Sequence, residues 1–115
     1  MLRSPEALRE VVAALVRVVD GRAPVTVKMR SGFDDTSLFD ENCLALQEAG
    51  VFCITVHPRT RAQGYRGRAD WDVIARAKQL LRIPVVRTLP CEVVQTLLCH
   101  ESGIIAYLCA CCIFE

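Results

Sequence analysis

Val51-Phe52-Cys53-Ile54-Thr55-Val56-His57, continued by Pro58-Arg59-Thr60-Arg61-Ala62-Gln63-Gly64-Tyr65-Arg66-Gly67-Arg68-Ala69-Asp70-Trp71, decides the fold class of this chain. The first seven residues are nearly all apolar, the pattern of a parallel strand covered on both faces. The strand ends on His57, and an arginine-rich loop hinged by two glycines follows at once. A buried strand with a polar last residue, followed by an exposed loop, is how parallel α/β folds build their sites. Arg59, Arg61, Arg66 and Arg68 occupy the loop with no carboxylate before Asp70, so its partner is expected to be anionic.

The flanking sequence has the same grammar. Ser4-Pro5-Glu6 supplies a hydroxyl cap, a proline at the first helical position and an acid in the first turn. Leu8, Val12, Leu15, Val16 and Val19 then recur at helical spacing and predict one buried stripe, which Asp20-Gly21 ends. Val25-Thr26-Val27-Lys28-Met29-Arg30 reads as a strand and residues 31–35 as a loop. A second helix is predicted over 36–49, with Gly50 as its C-terminal cap. Asp70 is expected to cap a third helix carrying Ile74, Ala77, Lys78 and Leu81. Pro84-Val85-Val86 begins a third strand, a fourth helix is predicted over 90–100, and a fourth strand over 104–108. Strict alternation through short connections predicts parallel strands joined by crossover helices.

At 115 residues the chain is one small domain, able to bury about two-thirds of its unfolded surface. A hydrophobic content of 52% against 23% charged excludes a disordered chain. Net charge is only +1, so affinity for nucleic acid has to come from local clustering. No apolar run is long enough to span a bilayer, and residues 1–6 lack a signal pattern. A soluble, cytoplasmic chain without a membrane partner is expected. The seven cysteines are odd in number and unevenly spread, five of them (Cys91, Cys99, Cys109, Cys111, Cys112) in the last quarter. They read as thiols of a reducing compartment, and no metal site is expected.

Lys28 and His57 are the first candidates for chemistry, each at or near the end of a buried strand. Lysine suits a strand interior only if its ammonium meets an anion, and histidine can donate to a phosphate or polar ligand atom. The alternative is that Lys28 reaches the rim and His57 bonds a backbone carbonyl. The loop arginines could hold RNA phosphates in forked geometry, with Tyr65 stacking on a base, or could pair with helix carboxylates on a solvated surface. Gly64-Tyr65-Arg66-Gly67 matches a Gly-x-x-Gly RNA-binding loop, but that module needs a helix on both sides. Here a strand precedes it, so the glycines read as turn residues.

Taken together, residues 24–32, 55–61, 64–71 and Ile83-Pro84-Val85-Val86 resemble the flavin-dependent tRNA-dihydrouridine synthases. The resemblance covers roughly residues 2–86 and carries several motifs in the right order and separation. It implies a TIM-barrel fold, FMN, NADPH or NADH as reductant, and reduction of the uridine C5–C6 double bond in tRNA. By position, Lys28 and His57 resemble the lysine and histidine that border FMN. Arg59, Arg61, Arg66 and Arg68 would meet tRNA, with flavin phosphate the alternative for Arg59 and Arg61.

The chain also departs from the family. Its catalytic cysteine, the acid for uridine C5, lies upstream of the first helix, and none of the seven cysteines occupies that position. The Asn-Gly-Asp motif expected after Val86 reads Arg87-Thr88-Leu89-Pro90, and a later Gly-Arg pair reads Leu108-Cys109-Ala110-Cys111. The expectation is therefore a partial, half TIM barrel of about four parallel βα units, unclosed on its own. It would be a single domain over 1–115, with the family match over 2–86, a divergent tail over 87–115 and no catalytic residue. Such a truncated chain would be inactive alone, and another chain or a second copy could cover its open edges. The rival reading is a non-enzymatic RNA-binding or interaction fragment that uses the 59–68 loop.

Overall fold

The structure, a computed structural model, describes residues 1–87 and the backbone of 106–109. Among these, α1 (Pro5–Val19), β1 (Val25–Arg30), α2 (Phe39–Glu48), β2 (Cys53–His57), α3 (Asp72–Leu80), β3 (Val85–Arg87) and β4 (Ala106–Cys109) follow in order. The helix expected over 90–100 lies outside the described residues.

Local chemistry explains the boundaries. The Ser4 hydroxyl accepts the Ala7 N–H at 3.4 Å, opening α1 as its sequence requires. Asp20 closes the helix in the left-handed region, and the Arg22 guanidinium donates to the carbonyls of Val19 (3.0 Å) and Val18 (2.7 Å). A cation on those carbonyls matches the negative end of the helix. α2 begins at Phe39, three residues later than expected, because Asp35 accepts both the N–H and hydroxyl of Ser37. That local turn competes with helical bonding for the same backbone. β2 likewise starts at Cys53, since the N–H groups of Val51 and Phe52 go to Leu46 and Val25. At α3 the cap position is Trp71, and Asp70 acts one residue earlier by accepting the Asp72 N–H at 3.1 Å.

All four strands are parallel, in the order β3-β2-β1-β4, and the sheet is not closed. A simple succession of βα units would set β4 beside β3, but it pairs with β1 instead, so that Val25 faces Ala106 and Lys28 faces Cys109. That placement covers the edge of β1 and leaves the three-residue β3 as an edge, a short strand being a weak template for stray pairing.

The period of two along β1 separates the sheet's faces. Val25, Val27 and Met29 are buried with Leu8 and Val12 of α1, Phe39, Cys43 and Leu46 of α2, and Val73, Ile74 and Ala77 of α3. Thr26, Lys28 and Arg30 alternate with them and are half-buried. The paired residues of β2 on that second face are Cys53, Thr55 and His57. β2 was expected to be covered throughout; instead Cys53 and His57 are half-buried, and Phe52, just before the strand, is 61% exposed. No helix among the described residues is long and apolar enough to cross a membrane.

Candidate ligand face and arginine loop

The carboxyl ends of β1 and β2 bring Lys28, Arg30 and His57 to one face. Lys28 pairs in register with Thr55, and Arg30 with His57. Parallel partners point to the same side of a sheet, so Lys28 and His57 share that face on adjacent strands. Just beyond the strands, the Ser31 N–H donates to the carbonyls of His57 (3.0 Å) and Arg59 (3.2 Å), tying the two strand ends together. Gly32 follows because a Cβ there would collide with the carbonyl oxygen of Asp35.

The electrostatics are one-sided. Burial first, then the charges of Arg30, Arg59 and Lys28, pushes the His57 imidazole below its ordinary value of 6.5. A histidine so placed is neutral at pH 7. The acids at this end are engaged elsewhere. Asp34 pairs with Arg3 at 2.8 Å, Asp35 holds Ser37, which keeps its carboxyl below the usual range, and Asp70 caps α3. Among the described residues, His57 Nδ1, Arg59 Nε and Ser31 Oγ are buried polar atoms without a hydrogen-bond partner. Orphaned atoms of this kind cost free energy unless a ligand or water satisfies them.

The loop after β2 is a built structure and not a slack connection. Thr60 and Gln63 bond reciprocally, the Thr60 N–H to Oε1 at 2.8 Å and the Gln63 N–H to Oγ1 at 3.2 Å. The N–H groups of Arg61 and Ala62 donate to the carbonyls of Gly32 (2.9 Å) and Phe33 (2.8 Å), and the Asp70 N–H returns to Pro58 at 2.9 Å. Gly64 and Gly67 have φ of 59° and 73°, so they do serve as turn residues. Arg30 donates to the carbonyls of Thr60 (3.3 Å) and Gly64 (3.2 Å) and lies 5.7 Å from the centre of the Tyr65 ring.

The charges of Arg30, Arg59 and Lys28 thus all act on His57. Arg61 is exposed, with its guanidinium 5.1 Å from the Phe33 ring, and Arg66 and Arg68 are exposed as well. Among the described residues the salt bridges are Arg3–Asp34 and Arg76–Asp40, so none of the four loop arginines pairs with a helix carboxylate. Tyr65 is 79% exposed. Sequence reasoning missed Arg30, whose two-residue spacing from Lys28 was the available signal. Cys53 is on the same face, but burial raises its thiol pKa. Burial, with Asp40 adding to it against Arg76, pushes Cys43 up to about 12. Thiols held protonated in this way are poor nucleophiles.

The family model of dihydrouridine synthase (Dus) matches residues 1–88. A Synechocystis protein named "Probable tRNA-dihydrouridine synthase 1" is 48% identical over 87 residues, covering 75% of this chain and 24% of that protein. Proteins named tRNA-dihydrouridine(16) synthase from Ralstonia nicotianae and Shewanella oneidensis are 45% and 38% identical over 86 residues. Each match covers 75% of this chain, and 26% and 27% of the respective relative. The chain therefore spans about a quarter of the length of the curated relatives it matches.

Proposed function

The chain belongs to the dihydrouridine synthase family, and on that premise we propose that it carries flavin and tRNA contacts of an enzyme reducing uridine to 5,6-dihydrouridine in tRNA. Residues 1–115 form a single partial TIM-barrel domain, with the barrel-like part over 2–86 and a divergent tail over 87–115. The parallel order β1-β2-β3, with helices on one face, supports this reading. β4, which departs from barrel succession, belongs to the tail.

One observation carries the assignment. Among the described residues His57 Nδ1 and Arg59 Nε are buried without a hydrogen-bond partner, and burial with the charges of Arg30, Arg59 and Lys28 holds the His57 pKa below its ordinary value. These groups fit FMN, whose ring offers nitrogen and carbonyl partners on its pyrimidine side and whose phosphate is an anion. Held by Lys28 and His57, and reduced by NADPH or NADH, FMN would supply hydride for the uridine C5–C6 double bond. Lys28 provides fixed positive charge for the side of the ring that gathers negative charge on reduction. His57 orients the ring through a hydrogen bond that its neutral state permits. Arg59 stands between the two binding regions and meets a phosphate, of flavin or of RNA. Arg61, Arg66 and Arg68 hold the tRNA backbone, contacts that position the substrate without reading its sequence. None of these residues is assigned a catalytic proton transfer.

The test is to titrate the full chain with FMN and with unmodified tRNA. Relatives named for position 16 make a tRNA with uridine there the first choice. A flavin spectrum on the protein together with salt-dependent tRNA binding supports the proposal. Colourless protein that still binds tRNA favours the non-enzymatic RNA-binding reading, which the unpaired loop arginines support, and protein that takes up neither overturns both.

A further inference from the structure

We infer that Arg30 is a positioning residue: its guanidinium, spanning the carbonyls of Thr60 and Gly64 beneath Tyr65, fixes the loop that presents Arg61, Arg66 and Arg68 to RNA. The inference rests on the proposed function for the RNA, but its structural core stands on this geometry alone.

The loop's two ends are closed by Asp70 to Pro58, its first turn by Thr60 and Gln63, and its flank by the carbonyls of Gly32 and Phe33. Within the loop the Gly64 N–H donates to the Arg61 carbonyl (3.1 Å) and the Arg66 N–H to the Gln63 carbonyl (3.0 Å), two short-range turns. Those bonds hold residues 58–66 in local turns and fix the exit at Asp70, but the turns at Gly64 and Arg66 are closed only within the loop. Among the described residues only Arg30 ties this tip to the sheet, through the Gly64 carbonyl 34 residues away in sequence, where Gly64 enters a left-handed turn. It does so from the last position of β1, where Arg30 pairs in register with His57 of β2. Nη1 is occupied by protein carbonyls, and the guanidinium stacks toward Tyr65. Arg30 is therefore committed to the loop, and the exposed arginines are the ones available to phosphate. A charged donor bridging two carbonyls is stronger than a neutral pair, and a planar guanidinium does this better than an ammonium.

The same guanidinium also bears on His57, its register partner, so two readouts separate its charge from its shape. Arg30→Gln removes both, whereas Arg30→Lys keeps the charge but loses the planar bridge. The full chain and both variants are compared by limited trypsin digestion with cleavage sites mapped, by tRNA binding across salt concentrations, and by NMR titration of the two histidines. Cleavage after Arg61, Arg66 and Arg68 should become on the order of tenfold faster in Arg30→Gln, the factor carried by one charge-assisted bond. tRNA binding should weaken by a similar factor, and Arg30→Lys should fall between the two proteins on both counts. The His57 titration should move up in Arg30→Gln and stay in place in Arg30→Lys.

Unchanged loop cleavage in Arg30→Gln overturns the inference, including the case where tRNA binding weakens, which would make Arg30 a direct phosphate contact. Unfolding of Arg30→Gln as a whole, seen by circular dichroism, leaves Arg30→Lys to decide on the same cleavage criterion. If the unaltered chain does not bind tRNA, the RNA part of the inference falls together with the function proposal. The cleavage result still judges the role of Arg30 in the loop.

Discussion

Lys28 and His57 stand on the same face of adjacent parallel strands, offset by two residues: Lys28 pairs with Thr55, and His57 with Arg30. Diagonal neighbours of this kind on adjacent strands lie within reach of long side chains, a span that one planar ring can bridge. Burial first, and then the charges of Arg30, Arg59 and Lys28, lower the His57 pKa from its ordinary value.

Replacing Lys28 with methionine keeps most of the stem and removes the charge. If the ammonium serves the pyrimidine side of the flavin, Lys28→Met weakens binding of reduced FMN on the order of tenfold more than oxidised FMN. Anaerobic titrations in the two redox states measure this, and equal losses would remove Lys28 from that role.

Arg59→Ala combined with Arg61→Ala removes two cations from the loop entry. The slope of log K for tRNA against log salt should become shallower by about one to two units. A variant with the parent slope would return these arginines to the solvated surface.

The depressed His57 pKa has a consequence for stability. The unfolded chain takes up this proton near the ordinary value of 6.5, before the folded chain does, so stability is held above that pH. It is lost as pH falls from there through the lower folded value. His57→Gln should lessen the drop in urea midpoint between about pH 7.5 and pH 5.5. His100 is present in both proteins and cancels in the comparison. An identical drop in both would show that His57 does not titrate differently in the folded chain.

Two leucines of α2 contrast the buried and open sides of the helix. Leu46 is 0% exposed in the core, so Leu46→Ala should cost about 2–5 kcal/mol. Leu44 is 36% exposed, and Leu44→Ala should cost less than about 1 kcal/mol. Equal urea midpoints for the two variants would contradict the packing described.

Local chemistry made much of this legible in sequence. Ser4-Pro5 announced α1, the β-branched run over 25–30 announced β1, and the apolar run ending at His57 announced β2. What escaped depended on contacts distant in sequence. Arg30 looked like one more strand residue because its partners, Thr60 and Gly64, are 30 and 34 positions away. Asn42, fully buried in α2, gave no sign that its side chain holds the Leu2 carbonyl at 2.9 Å. Phe52 read as part of a covered strand, yet it precedes β2 and faces solvent, since hydrophobicity alone does not say which face a helix covers. The start of α2 escaped because the Asp35–Ser37 turn competes with helical bonding, and a period of 3.6 does not encode that competition.

Titrating FMN with the full chain, following flavin fluorescence, probes the shared face of Lys28 and His57 with the least intervening inference. Saturable quenching by the unaltered chain is expected, weakened by Lys28→Met and by His57→Ala, and abolished when both are changed. Flavin that fluoresces as though no protein were present, or that is quenched equally by the doubly substituted chain, would mean that these two strand ends do not hold the cofactor.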